Sequence, residues 1–420
     1  MFDLKYVKEN RDAFIYSLKN RGMDETVVNK IIENYDKMKD IMSETEKLRH
    51  ERNEISKNFK QQDENTREKG KKIKERISEL EKEYEKLSKE ADELFFSLPN
   101  LLDKETPIGK TDADNVEIKK VGEIKEKDFE VKSHIDLGIK RDLIDVDTAA
   151  NVTGSRFFYL KGKIAQLQVA LELYSLNKLA SKGLKIVIPP LMLKKEVYAG
   201  LVPMATFDDA LYKVTGIEDT GENERYLIST TEHPLIAMFS DKTLKEEELP
   251  IKLAGLSAAF RKEAGAHGKD TKGIFRVHQF YQTEQIAICK PDESNKIQEE
   301  FLQNAEEMWQ ELGIPYHVVR VCSGDMGIRD TRQFDIEAYI YTQKKYREVG
   351  SFDNCTDWIS RRSNIKIVDK EGKKYYAHTV DSTGIAVERA ILAIMEYYQE
   401  HDGTIKIPKV LAKYCGFEEI

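Results

Sequence analysis

Between Val28 and Leu98 the chain has no proline and a single glycine, Gly70, and its apolar positions recur at alternating steps of three and four. The later run is the cleaner, through Ile73, Ile77, Leu80, Tyr84, Leu87, Ala91, Leu94 and Leu98. The earlier run passes Val28, Ile31, Tyr35, Met38, Met42 and Thr45, then Leu48, Arg52, Ile55 and Phe59. Two successive steps of three at 42–45–48 mark a stammer in the repeat. A stripe this narrow is a coiled-coil seam, not the broad apolar face of a helix lying on a globular core. Residues 61–70 are polar and supply a turn, so the pattern predicts an antiparallel helical hairpin over about 27–98. At about 1.5 Å per residue each arm is roughly 50 Å long.

Charge is spread unevenly along that hairpin. Residues 47–76, its distal half, hold 11 Lys/Arg against 6 Asp/Glu, a net of +5, while residues 30–46 hold 3 against 5 and residues 77–97 hold 3 against 7. A charge run on a helix is commonly no more than a solvated face. A basic tip on acidic arms also suits an RNA backbone, because phosphate attraction is local and short-ranged. Lys57, Lys60, Arg67, Lys69, Lys71, Lys72 and Lys74 are the candidates for that contact.

The whole chain reads differently from its tip. Its 420 residues carry 67 Lys+Arg against 75 Asp+Glu, a net of −8, which argues against a general nucleic-acid coat but not against a local patch. That length exceeds one ordinary domain. No apolar run approaches the roughly 18–20 residues of a membrane span. Residues 1–14 carry Asp3, Lys5, Lys8, Glu9, Arg11 and Asp12, unlike a signal peptide. Cys289, Cys322, Cys355 and Cys415 lie far apart with no CxxC pair, so neither a disulfide frame nor a finger-type zinc site is expected. A cytoplasmic location follows from that cysteine usage.

Residues 99–115, with two prolines and several turn formers, read as a linker. The first domain is therefore expected over 1–104 and the second over 105–420. In the second, helices are expected over 164–182, 299–312 and 385–398, and strands over 186–188, 316–322, 334–341 and 345–349. The strand at 186–188 stops at Pro189-Pro190. These strands cluster without regular βα alternation, and neither GxGxxG nor GxxxxGK[ST] occurs. The expected class is α+β: a long antiparallel coiled-coil hairpin, then an antiparallel sheet flanked by helices.

The segment from Phe260 to Glu284, FRKEAGAHGKDTKGIFRVHQFYQTE, has two strand-like ends around a loop rich in Gly, Lys and Asp. Residues two apart in a strand share a face, which pairs Arg261 with Glu263 and aligns His278, Phe280, Gln282 and Glu284. Arginines, a ring and carboxylates on one face are either an internal ion-pair network or a polyphosphate nucleotide site. In the second case Arg takes phosphate oxygens, Phe a base, and Glu a base edge or an ammonium. Asp335, Glu337 and Glu348 on neighbouring strands add acids beside it, a pattern that suits Mg²⁺ with phosphate. In TVDSTGIAVER, Asp381, Ser382 and Thr383 read as cap candidates before a helix carrying Arg389 in its second turn.

FRKE with its loop to RVHQF resembles motif 2 of class II aminoacyl-tRNA synthetases, GIAVER resembles motif 3, and the Pro189-Pro190 strand end resembles motif 1. More narrowly, the chain is similar to the seryl-tRNA synthetase family along nearly its whole length. MFDLKYVKENRDAF, RNEISK, LPN, PIGKTDADNVE, HIDLG, DLIDVDTAANVTGSRF, STTEHPL, REVGSFDNCTDW and ISRRSN all match in order, and TEHPL and NCTDW look like archaeal members.

The resemblance implies ATP-dependent activation of L-serine and its transfer to tRNA(Ser), with tRNA(Sec) as a further candidate acceptor. It implies that Arg261 holds the α-phosphate and the serine carboxylate, and that Glu263 reads the adenine edge. Phe280 stacks on adenine with Arg389 beyond it, Arg276 reaches the terminal phosphates, and Glu348 and Ser351 meet Mg²⁺ and the α-phosphate. Thr230, Glu232, Glu284 and Thr383 fill the serine positions. A hairpin that holds the long variable arm of the tRNA, and a homodimer, follow from the resemblance alone. Four places depart from the family pattern: Gln282 stands for Lys, Asp381 for Asn, Gly350 for a polar residue, and Tyr341-Thr342 for Pro-Gly. They leave open a paralogue that activates another small amino acid. A catalytically silent RNA-binding protein is the alternative from a different class. No Cys/His cluster suggests a zinc-dependent serine pocket.

Overall fold

The structure is a computed structural model that describes residues 4–57, 64–204, 210–216, 224–263 and 273–420. The chain divides into two compact units, Met1–Leu101 and Leu102–Ile420.

In the first unit, α1 (Leu4–Glu9) and α2 (Arg11–Asn20) precede the long arms α3 (Val27–Lys57) and α4 (Glu64–Ser97). The second arm buries Ile73, Ile77, Leu80 and Ala91 as its spacing predicts, then Phe95 in place of Leu94. In the first arm Ile41 is buried and the neighbouring Met42 is 50% exposed. The seam therefore runs Val28, Ile31, Tyr35, Met38, Ile41, Thr45, and its two successive steps of three fall at 35–38–41, two turns earlier than the sequence places them. Ile41 and Met42 are adjacent and both apolar, so spacing alone does not choose between them.

Ion pairs span the two arms: Glu44–Arg76 at 3.0 Å, Arg49–Glu81 at 2.8 Å and Glu51–Lys69 at 2.6 Å. Each is exposed and stabilises by only about 0–1 kcal/mol. Residues 64–70, expected in the turn, are helical, and Lys60 lies outside the described residues. Lys57, Arg67, Lys69, Lys71, Lys72 and Lys74 are all exposed.

The second unit is built on an eight-stranded sheet. Its strands are β1 (Val116–Val121), β2 (Lys185–Val187), β3 (Ile251–Phe260), β4 (Gln279–Cys289), β5 (Tyr316–Arg320), β6 (Arg332–Ile340), β7 (Lys345–Thr356) and β8 (His378–Ala386). They lie in the order β1-β5-β6-β7-β8-β4-β3-β2, antiparallel except for the β2–β3 pair. Helices that position the site are α5 (His134–Lys140), α6 (Lys163–Ser181), α7 (Glu232–Ala237), α8 (Ser294–Leu312) and α9 (Val387–Tyr397). Phe301, Met308 and Trp309 of α8 and Ile391, Leu392 and Met395 of α9 are fully buried in one core with Val318, Ile336 and Phe352 of the sheet. Eight consecutive buried residues, Gln282 to Cys289, follow because β4 is central and covered on both faces.

Two local expectations fail. Asp381, Ser382 and Thr383 do not cap a helix; they lie inside β8, where β-branched neighbours favour a strand, and α9 begins only at Val387 with Arg389 in its first turn. Arg261 and Glu263 do not share a strand face either. β3 ends at Phe260, and Glu263 adopts a left-handed φ of 48°.

Candidate active site

Strand register assembles the site. In antiparallel strands, directly paired residues face the same side. Glu284 pairs with Thr383 beside a bulge at Thr283, Asp353 pairs with Asp381, and Asp335 pairs with Ser351. With the period of two along each strand, this puts Gln282, Glu284, Thr383, Asp381, Asp353, Ser351 and Asp335 on one face. That face floors a cleft of about 260 Å³.

Thr230, Glu232, Arg261, Glu263, Arg276, Phe280, Glu284, Glu348, Ser351, Thr383 and Arg389 all line that cleft. Their side chains divide it into two halves. In one, the Arg261 guanidinium lies over the Phe280 ring at 5.1 Å while its Nε donates to the Ser229 carbonyl at 2.9 Å. Glu263 meets Arg276 at 3.5 Å. Arg389 donates from Nη1 to the Glu348 carbonyl at 2.9 Å and to its Oε1 at 3.1 Å, and its guanidinium lies 4.7 Å over Phe275. Desolvation works against ionising Glu348, but Arg389, then Arg261 and Arg276, outweigh it and hold the carboxyl below its ordinary value.

The root of the loop carrying Arg276 is fixed from below. The Ile274 N–H donates to His134 Nε2 at 3.3 Å, and His134 Nδ1 contacts Glu396 at 3.1 Å. Gly273, at φ +89°, lies so close to this imidazole that a Cβ would come within 2.2 Å of Nε2.

The other half is more deeply buried, with Thr230, Glu232, Gln282 and Glu284 all nearly inaccessible. Gln282 Nε2 donates to Thr230 Oγ1 at 2.7 Å and to Glu284 Oε1 at 2.6 Å, and Thr383 Oγ1 donates to the same Oε1 at 3.4 Å. Glu284 Oε2 is buried with no hydrogen-bond partner. Burial first, then the Glu232 and Asp353 carboxyls, raise Glu284 well above the usual carboxylate range. Glu232 opens α7, whose start is tied to β3 by a 2.7 Å bond between Thr231 Oγ1 and Ser257 Oγ. Burial again opposes its charge, but Arg329 at 2.7 Å prevails and keeps Glu232 ionised.

The departures sort by position. Gln282 works inside the pocket, in the bonds just described. At Gly350 a Cβ would stand 3.3 Å from Thr383 Cβ, so glycine leaves that side chain room. Thr342 bonds Glu396 from its N–H at 3.0 Å and from Oγ1 at 2.8 Å, and neither it nor Tyr341 lines the cleft. Asp381 is fully buried, with its Oδ1 2.8 Å from Arg329 Nη2.

Two of the candidates lie elsewhere. His278 turns away, with Nδ1 at 2.8 Å from the Arg261 carbonyl and its ring 5.3 Å from Phe157. Glu337 is slipped past a bulge and bonds His317 at 2.6 Å, leaving Asp335 as the acid of that pair on the site face. Three residues of the site carry no strong sequence signal: Arg329, in the loop before β6, Asp353, and Glu388 beside Arg389. Glu388 accepts the Tyr281 N–H with both oxygens, at 3.0 and 2.9 Å, and burial above all pushes its carboxyl up to about 8.

Comparison with known proteins gives the same picture. Residues 1–102 match the seryl-tRNA synthetase N-terminal domain, and residues 212–398 match the tRNA synthetase class II core domain (G, H, P, S and T). The serine–tRNA ligase of Methanocella arvoryzae is 39% identical over 99% of both chains, and that of Archaeoglobus fulgidus is 43% identical over 98% of this chain and 95% of its own. The crystal structure of seryl-tRNA synthetase from Pyrococcus horikoshii complexed with ATP superposes with a TM-score of 0.89 at 42% identity, covering 100% of this chain and 99% of that one. The chain belongs to the seryl-tRNA synthetase family.

Proposed function

We propose that the protein activates L-serine with ATP and transfers the seryl group to tRNA(Ser). The observation that carries this reading is the division of one cleft into a cationic half with an aromatic platform and a small acidic half, joined at Arg261. In the first step a serine carboxylate oxygen attacks the α-phosphorus of ATP, and the bond to the leaving pyrophosphate breaks. In the second, the 3′-hydroxyl of the tRNA's terminal adenosine attacks the acyl carbon, and AMP leaves.

Both steps depend on positioning and on charge neutralisation where charge develops. Arg261 spans the two halves, with the α-phosphate on one side and the serine carboxylate on the other. Phe280 and Arg389 clamp the adenine between them, Glu263 reads its edge, and Arg276 meets the terminal phosphates. Glu348, kept anionic, and the Ser351 hydroxyl fit a hard cation that takes one or two protein oxygens plus phosphate oxygens. Mg²⁺ carried by the nucleotide would be held there and would neutralise phosphate charge. On the acidic side, Glu232, Thr230, Glu284 and Thr383 receive the serine ammonium and hydroxyl.

The deciding experiment is amino-acid-dependent pyrophosphate exchange with serine, threonine, alanine and glycine in parallel. Serine should exceed each of the others by at least about 10²-fold in kcat/KM. A preference for any other amino acid would reassign the protein to a divergent paralogue, and no exchange with any of the four would favour a silent RNA-binding protein.

The first domain, over about 1–104, is the tRNA-binding part, and the remainder is the catalytic part. The basic half of the hairpin holds the long variable arm of the tRNA by shape and backbone, as double-stranded RNA usually is held. Changing Lys69, Lys71, Lys72 and Lys74 together to alanine should weaken tRNA binding, flatten its salt dependence by up to about three units of slope, and leave serine exchange unaltered. Filter binding across a salt series measures this, and an unchanged slope would remove the tip from the interface.

A homodimer is supported by apolar side chains left in the open on and beside the edge strand β2. Val169 (61%) and Leu173 (48%) on α6 and Ile188 (69%) after β2 are exposed in the single chain. Among the described residues no helix is long and apolar enough to cross a membrane, and the cytoplasm is the proposed location.

A further inference from the structure

We infer that Arg329 is a positioning residue of the amino-acid pocket: its guanidinium holds the Glu232 carboxylate in place for the substrate's ammonium group, and Asp381 supplies the counter-charge that lets a cation stand there. This rests on the serine-activation reading above.

The geometry is specific. Arg329 comes from the loop before β6, its side chain is 15% exposed, and it lines the cleft. Nη1 stands 2.7 Å from Glu232 Oε1, while Nη2 stands 2.8 Å from Asp381 Oδ1 and 3.2 Å from Asp353 Oδ2. One oxygen from each of Glu232, Asp353 and Asp381 falls within 4.8 Å of the others. Three carboxyls so close and so buried cannot all be charged without a cation among them. Arginine meets them with two nitrogens at once, Nη1 in close ion pair with Glu232 and Nη2 donating to Asp381 and Asp353, which a lysine ammonium on a flexible stem does less well. Glu232 therefore has one oxygen held in an ion pair and its charge retained, in the same cleft as the unpartnered Oε2 of Glu284.

A bare cation beneath an ammonium site would repel the substrate. Here its charge is already met from behind by Asp381, which is fully buried in β8, and by Asp353 beside it. Asp330 adds a contact at 3.6 Å from Nε. The cluster as a whole thus stays acidic toward the pocket. Loss of Arg329 would free the Glu232 side chain and drive protons onto the crowded carboxyls, so that the ammonium would meet a displaced and partly neutral partner.

Serine-dependent pyrophosphate exchange on the full chain tests this, with KM for serine and for ATP measured separately in wild type, R329M, R329K and R329M/D381N. The expected result is a rise of about tenfold or more in serine KM for R329M with ATP KM within about twofold, a smaller rise for R329K, and partial recovery when D381N relieves the excess acid. A serine KM within about twofold of wild type in R329M, or an equal rise in both KM values, would reduce Arg329 to a folding element. Absence of recovery in the double variant would overturn the part given to Asp381. If R329M shows no cooperative thermal transition, R329K decides alone: a serine-specific rise of about threefold supports the inference, and no rise overturns it. Wild-type protein inactive with serine would instead sink the serine-activation reading, and this inference with it.

Discussion

Arg261→Ala should abolish serine-dependent pyrophosphate exchange, by at least about 10³-fold, while tRNA binding stays within about twofold of wild type. The guanidinium is anchored at Nε by the Ser229 carbonyl at 2.9 Å and braced over the Phe280 ring at 5.1 Å, so its orientation is set before any substrate arrives. It stands where the nucleophilic carboxylate and the attacked phosphate must come together, two anions that repel until a cation lies between them. Removing it withdraws that charge and also uncovers the aromatic platform, so nucleotide binding and the chemical step suffer together. Lysine should rescue little, since a single ammonium reproduces neither the Nε bond nor the flat stack on the ring. The hairpin belongs to the other compact unit, so the tRNA contact should not feel the change. Parallel exchange and filter-binding assays separate these outcomes. Equal loss of both would mean that Arg261 supports folding rather than the reaction.

The hairpin was readable in the sequence because a coiled-coil seam repeats many times, and one misplaced residue does not hide it. Its stammer falls two turns from where spacing alone puts it, because Ile41 and Met42 satisfy the apolar criterion equally and only packing separates them. The cationic half of the cleft is also legible, since Arg261, Phe280, Glu348 and Arg389, which all line it, stand in segments dense with chemistry that have no core role to explain them. The details that failed lie where local pattern ends. Strand alternation was extended from Phe260 through Glu263, although the left-handed backbone at Glu263 breaks it. Asp381 to Thr383 looked like a helix cap, although the pairing of β8 with β4 and β7 holds them in a strand. Arg329 left no trace at all. A charged residue in a loop looks solvated, and only the fold turns it into the cleft beside Glu232, Asp353 and Asp381.

Glu284→Ala should collapse discrimination between serine and alanine by at least about 10²-fold in the ratio of their kcat/KM values, chiefly by loss of serine activity. The carboxyl is only 3% exposed, and Oε1 is already taken by Gln282 at 2.6 Å and Thr383 at 3.4 Å. Oε2 has no partner, which is a costly state for a buried oxygen unless a ligand supplies the missing donor. A serine hydroxyl supplies it and an alanine methyl does not, so wild type leaves the oxygen orphaned whenever alanine binds. Apolar exclusion of one small group yields only about 10–200-fold, whereas a hydrogen-bonding pocket of this kind can reach about 10⁴–10⁵-fold. The alanine substitution removes both the reward for serine and the penalty for its analogue. Thr383→Ala should cost less, about tenfold, because its 3.4 Å bond to Oε1 is long and the carboxyl keeps its bond to Gln282. Steady-state exchange with both amino acids over matched concentration ranges gives the ratio directly. A ratio unmoved by E284A would place serine recognition on Thr230 and Glu232 instead.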